Sequence, residues 1–283
     1  MELHNQTETL IIYRPLDCRP VPKPIRSLAI AIAACACAAA EPALASGAAA
    51  RPPAGQRSVL VGTASQGTSS SPGKLLAASA AALRGAHGYQ VKGYVTQGSQ
   101  RTQLLARVHS ARSLELTLTN RAQTVQVLST GAHFYLRANA AYWVAHAGSR
   151  AAELAGSWFT VPASTGLSVL GNFAPNTFSR CLTEDHGTLS LAGTTTIAGR
   201  PAVLLRDAGN VPGSQPSTLA IASQGQPWPL QVVSTGRQRP GGHIDVCNDG
   251  KGSSAGGVIT LSDFNAVGPI APPHKPIKLP ASG

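Results

Sequence analysis

SLELTLTN, residues 113–120, alternates leucine with polar residues, so that Leu114, Leu116 and Leu118 stand between Glu115, Thr117 and Thr119. Successive side chains on a strand point to opposite faces, and this period of two predicts a strand with one apolar and one wet face. Asn120-Arg121 turns the chain into Val125 and Val127. Upstream, Tyr89, Val91 and Val95, then Leu104, Ala106 and Val108, keep the same alternation. Short alternating runs separated by turn residues predict an antiparallel meander.

Around this meander the period changes. Pro72–Arg84 reads as a helix, with Gly85 past its end. Residues 139–157 are helical and Ala-rich, with Tyr142, Trp143 and Leu154. Trp158–Val161 is extended, and Gly166–Phe178 holds a short helix. Further strands are expected around Leu189–Leu191, Ala202–Leu205, Leu219–Ile221, Leu230–Val233 and Val258–Phe264, and a proline-rich tail follows from Pro269. The expected fold is α+β and mainly antiparallel β, with about ten strands and a few helices within residues 72–273. A sheet of that length tends to curl, and its apolar face must be covered. Ala-rich helices bring little volume to that cover. Two outcomes stay open on this argument, a cavity and an ordinary packed core.

The N-terminal region decides the compartment. An apolar run of about 13 residues, Leu28–Ala40, follows Lys23 and Arg26. It is too short for the roughly 20 residues that cross a bilayer and fits a secretory signal. Ile32-Ala33-Ala34-Cys35 matches the bacterial lipobox, in which small residues fit the peptidase and the cysteine thiol accepts diacylglycerol. Lipidation at Cys35 is the leading reading. Cleavage after Ala43-Leu44-Ala45 with free secretion, and an uncleaved anchor, remain as alternatives. The expected division is residues 1–34 as signal, with a true start at Val21 making 1–20 an over-long reading, and 35–71 as an Ala/Gly/Ser/Pro tether. The folded domain then occupies 72–273 and the proline-rich tail 274–283. Some 36 flexible residues span about 30–36 Å.

Other chemistries find little support. The chain carries 23 Lys+Arg against 12 Asp+Glu, a net charge of +11, yet only 12% of its residues are charged. No window clusters basic residues with aromatics, so no nucleic-acid partner is expected. Cys35-Ala36-Cys37 lacks metal-ligand spacing, and the eight histidines are scattered. Gly67…Gly73-Lys74 fails as a phosphate loop because five residues separate the glycines and Leu75 stands where Ser or Thr is required. Gly166-Leu167-Ser168-Val169-Leu170 lacks the closing glycine of a G-x-S-x-G elbow. Glu184-Asp185-His186 reads as an exposed turn, and the calcium-like stretch from Asp245 carries Cys247 and Gly256 at ligand positions. Neither an enzyme, a metal site nor a cofactor is expected. Cys181 and Cys247 are the two cysteines of the globular part. In an exported protein they read as a disulfide, with free structural thiols as the alternative. Closing about 66 residues contributes on the order of 4 kcal/mol in the chain-entropy model.

The order of lipobox, linker, helix and meander continues with GAHFYLRA (131–138), AYW (141–143), GSWFTVP (156–162), GQPWPL (225–230) and ITLSDFN (259–265). Together these resemble the LppX/LprAFG lipoproteins of actinobacteria, related in fold to LolA-type carriers, over residues 72–273. The resemblance implies a half-open curved β-barrel wrapped around helices, with an apolar cavity for acyl chains. It implies a membrane-anchored, extracytoplasmic protein that binds acylated lipids or glycolipids and carries them within the cell envelope, with an envelope transporter as partner. The inward wall would include Val91, Val95, Leu104, Leu114, Leu116, Leu118, Val125 and Val127, continued by Leu189, Leu191, Leu219 and Ile221. Tyr135, Trp143 and Trp158 would lie near the helical plug or mouth, and Arg101, Arg107 or Arg137 near a headgroup. The alternative is a lipid sensor or protein-interaction module without a large cavity.

Mass spectrometry of the chain exported by an actinobacterial host is expected to find an N-terminal peptide beginning at acylated Cys35. A peptide beginning at unmodified Ser46 shows secretory cleavage instead.

Overall fold

Twelve strands hydrogen-bond into one sheet that does not close on itself. The computed structural model describes residues 71–97, 99–162, 170–245, 247–248, 250–252 and 256–278. The expected signal, Cys35 and the tether lie outside them. The first meander contains β1 (Tyr89–Gln97), β2 (Gln100–Val108), β3 (Ser113–Asn120), β4 (Gln123–Thr130), β5 (Phe134–Ala138) and β6 (Trp158–Val161). The second contains β7 (Leu189–Ile197), β8 (Arg200–Asp207), β9 (Ser217–Ala222), β10 (Pro229–Ser234) and β11 (Gly256–Ser262). β1 pairs with β11 and joins the two, while β12 (Ile277–Lys278) adds a parallel bridge beside β6. The edges are β12 and β7.

The expected half-open barrel of about ten strands is thus an open sheet of twelve. The two strands missing from the expectation are β5 and β12. Phe134, Tyr135, Leu136 and Ala138 of β5 are all buried, so the strand shows no alternation. β12 has two residues and lies within the proline-rich tail, at an edge where such a segment is tolerated.

Register explains the core. Leu261, Val91, Ala106, Leu116, Val127, Leu136 and Phe159 stand opposite one another in a single row across seven strands. None is more than 2% exposed. Flanking rows place Tyr89, Val108 and Leu114 on one side and Leu104, Leu118 and Val125 on the other. At the seam between the meanders, Gly93 lets β1 approach β11 closely, since a Cβ there would meet the Val258 carbonyl oxygen at 2.0 Å.

Helices cover this face. α1 (Pro72–Arg84) begins at Ser71, whose hydroxyl accepts from the Lys74 amide at 3.4 Å, and it buries Leu76, Ser79, Ala80 and Leu83. α2 (Ala140–Ala147) begins at Asn139. That side chain accepts from the Tyr142 and Thr124 amides at 3.1 and 3.2 Å and donates to the Ala122 carbonyl at 2.6 Å, tying the helix start to the β3–β4 turn. α2 delivers Tyr142 and Trp143 to the core, where Trp143 meets Phe159 edge-on at 5.7 Å. α3 (Ala151–Leu154) follows, and α4 (Pro175–Thr183) lies later in the chain than the short helix expected over 166–178. The Tyr89 hydroxyl donates to the Phe173 carbonyl at 2.6 Å, fixing the turn that leads into α4.

Leu116→Ala opens a cavity at the centre of the seven-strand row and is expected to cost about 2–5 kcal/mol in a denaturant titration. Leu105→Ala, on the opposite face of β2 at 37% exposure, is expected to change stability by only about 0.5 kcal/mol.

Candidate functional site

The row that starts at Gly93 continues through Ile259, Val232, Leu219, Leu205 and Leu191 of the second meander. Leu205 and Leu219 are buried together with Ile221 beneath Leu76 of α1, and Leu75, Leu182, Leu189 and Val232 pack around them. The cover is incomplete. A cavity of about 190 Å³ remains between α1, the end of α4 and β7–β10. Leu76, Leu182, Leu189, Leu205, Leu219 and Val232 form its apolar wall. Glu184, Asp185, Asp207, Ser214, Ser217, Gln238 and Asn248 supply its polar lining.

The polar lining is tied down at several points. Cys181 of α4 and Cys247 form a disulfide, which fastens the 241–250 loop to the helix. Asp185 accepts from the His243 amide at 3.0 Å and from the Asn248 side chain at 2.8 Å, and Asn248 also donates to the Gly241 carbonyl. Gly213 (φ +81°) sits against this pair, where a Cβ would come within 2.7 Å of the Asp185 carboxyl. Asp207 accepts from the Gly187 and Gly209 amides at 2.9 and 2.8 Å and so shapes both neighbouring loops. Four of the seven acidic residues among those described (Glu184, Asp185, Asp207 and Asp245) gather here.

Glu184, Asp245 and Cys247 are close enough to suggest a metal site. The chemistry argues otherwise. The Cys247 sulfur is committed to the disulfide, and Arg180 pairs with Glu184 at 3.5 Å and Asp245 at 2.9 Å. Asp245 instead works as a turn acceptor, taking the amides of Cys247 and Asn248 at 2.7 and 3.2 Å. Burial pushes its carboxyl up, but those amides, a hydrogen bond with Glu184 and the Arg180 charge outweigh this and hold it below the usual value. In the expected Glu184-Asp185-His186 turn, His186 is exposed and bonded only to the neighbouring Gly187 carbonyl, while the two carboxylates brace loops.

The expected wall residues separate into groups. Val91, Leu104, Leu114, Leu116, Val125 and Val127 are buried in the core of the first meander, with Leu118 and the buried Trp143 packed against them. Leu189 and Leu219 line the cavity, and Ile221 is buried beside it. Val95 and Leu191 lie on the inward face by register but are 37% and 52% exposed rather than covered. Tyr135 and Trp158 are on the outer face, because the Leu136–Phe159 pairing commits the alternate residues to the other side. Arg101, Arg107 and Arg137 share that outer face by the same parity, away from the cavity. Sequence reasoning missed Leu76, Leu182, Leu205 and Val232 of the cavity wall. Leu205 and Val232 carried a strand signal, but placing any of the four here needed the packing of α1 and α4 on the second meander.

No family model matches the sequence, and no curated protein does. Among solved structures the chain is similar to LprF from Mycobacterium bovis, at 15% identity and a TM-score of 0.45 over 72% of this chain and 96% of that one. It is similar to lipoprotein LppX of Mycobacterium tuberculosis at 16% identity and 0.43, over 71% and 99%. MucB of Pseudomonas aeruginosa in complex with MucA gives 15% and 0.34, over 73% of this chain and 59% of that one. These are likenesses of backbone course.

Because the Asp245 carboxyl is held low in the folded chain, its contribution is complete above the unfolded value of about 3.9 and is lost as pH falls through the folded value. Amide-exchange protection at Cys247 and Asn248 is therefore expected to fall below about pH 4. In Asp245→Asn, whose side-chain oxygen still accepts both amides but does not titrate, that pH dependence is expected to disappear.

Proposed function

We propose that this chain is an extracytoplasmic lipoprotein, anchored through Cys35, that binds the apolar part of an acylated lipid or glycolipid in the cavity between α1, α4 and β7–β10 and carries it within the cell envelope. One observation carries the reading: six aliphatic side chains from the helices and the second meander converge on a cavity whose remaining lining is polar. Such a lining suits an amphiphile, with apolar atoms against the leucines and the polar end at the carboxylates and amides. The lipobox and its basic flank support export and anchoring.

The cavity's size limits what enters. About 190 Å³ is below the roughly 300–1,000 Å³ typical of small-molecule sites. A short acyl segment fits the space as it stands. A longer chain requires α1 to lift from the sheet. Each methylene removed from water contributes about 0.8 kcal/mol, so a segment of six supplies roughly 5 kcal/mol of gross driving force. The dense packing of the first meander favours one second reading, a lipid-sensing or protein-interaction module that holds part of a lipid without transporting it.

Val232→Phe fills the cavity from the sheet side. If the site binds lipid, an organic extract of the detergent-free wild-type chain contains a stoichiometric acyl lipid by mass spectrometry, and the extract of the folded variant contains at most a tenth as much. Equal lipid in both removes the cavity from consideration, and an empty wild-type chain favours the second reading.

A further inference from the structure

The charges are unevenly divided. Residues 89–161, which span the first meander, contain seven Lys+Arg and two acids. Pairing parity puts Lys92, Arg101, Arg107 and Arg137 on the outer face of that meander, opposite the core. Glu115 is the acid on the same face of β1–β6, and Arg107 takes it at 3.4 Å. Asp263, at the border after β11, takes the Gln90 side chain. Lys92, Arg101 and Arg137 are left exposed with no acidic partner among the described residues.

The same face carries aromatic and apolar groups between the cations. The Arg101 guanidinium sits 3.6 Å from the centroid of the Tyr94 ring, and that of Arg137 lies 6.0 Å from the Trp158 ring. Leu105 stands in the row between Lys92 and Arg137 and is 37% exposed. Four strand spacings separate Lys92 from Arg137, about 19 Å. Half-exposed Tyr and Trp beside Arg and Lys form the combination that sits at a membrane–water interface, the ring at headgroup depth and the cation against lipid phosphate. A purely solvated face needs no such rings.

We propose that the exposed part of the outer face of β1–β6, which excludes the buried Leu128–Tyr135 pair, docks on an anionic lipid surface, contacting it through Lys92, Arg101 and Arg137 with Trp158 and Tyr94 at headgroup depth. This holds whatever the cavity binds. It puts the sheet between the membrane and the cavity, so the chain lies flat on the bilayer while the helices face away.

The test is vesicle partitioning of the full chain on phosphatidylglycerol:phosphatidylcholine (3:7) and on pure phosphatidylcholine. The N-terminal apolar run is common to every variant, so differences between variants report the face. Each exposed cation near such a surface is worth about fivefold in partitioning. Lys92→Gln/Arg101→Gln/Arg137→Gln is expected to weaken binding to the anionic vesicles on the order of a hundredfold. Lys74→Gln/Arg150→Gln/Arg237→Gln, with the same net charge, is expected to lose less than threefold. Equal losses in the two triples overturn the proposal, because net charge alone then explains binding. No loss in the first triple, with its fold intact by circular dichroism, also overturns it and leaves an acidic protein as the partner of this face. A second readout uses the unaltered face: brominated phosphatidylglycerol is expected to quench tryptophan fluorescence in the wild type and not in Trp158→Phe. Quenching that persists in Trp158→Phe overturns the docking geometry.

Discussion

Covering one apolar face of an open sheet is the constraint on which the rest of this structure depends. A closed barrel would hide its inner residues by its own curvature. Here the row from Leu261 to Phe159 is hidden only where helices lie across it. Over the first meander that cover is supplied by Tyr142, Trp143, Leu154 and Leu170, large side chains that fill the space over six strands. Over the second meander it is supplied by α1, whose inward residues include Leu76, Ser79 and Ala80, and by the end of α4. The difference in delivered volume is a physical reason for this void lying under α1 beside the second meander.

Packing alone does not hold the rim of that void. Ile244, in the loop that carries Cys247, is 71% exposed, and described residues of that loop are held instead by the Cys181–Cys247 bond, the Asp185 hydrogen bonds and Arg180. Such fastenings act at points. They fix where the loop lies without filling the space behind it, and a packed loop would have done both. Glu184, Asp185, Asp207 and Asp245, four acidic residues of a strongly basic chain, gather here, and each accepts amides or pairs with Arg180.

Much of this was legible in the residues. The 113–120 alternation gave the correct parity for β1–β4, and from it the buried set Val91, Leu104, Leu114, Leu116, Val125 and Val127. Pro72–Arg84 is a helix with the expected bounds. Parity failed where a strand is buried on both sides, as at Phe134–Ala138, and it did not give burial at Val95 and Leu191, which lie on the inward face and are exposed. It also says nothing of which inward residues meet a helix closely and which face a gap. That distinction depends on the size of side chains supplied from α1, α2 and α4, elements far apart in the chain. For that reason Leu116 and Leu219, equivalent in pattern, have different surroundings.

The energetics of the proposed binding follow from the same imbalance. Lifting α1 enough to admit a longer chain exposes Leu76 and Leu83, and fully burying a leucine is worth about 1.5–3 kcal/mol. Roughly four to eight methylenes entering in their place, at about 0.8 kcal/mol each, would offset the loss. An apolar helix face and an acyl segment therefore compete for one surface on nearly equal terms. Near-equality is what exchange demands: a helix that packed as tightly as α2 would exclude the ligand, and a surface left bare would aggregate before meeting one. An Ala-rich α1 lies between those limits, beside a first meander whose core is closed by tryptophan and tyrosine.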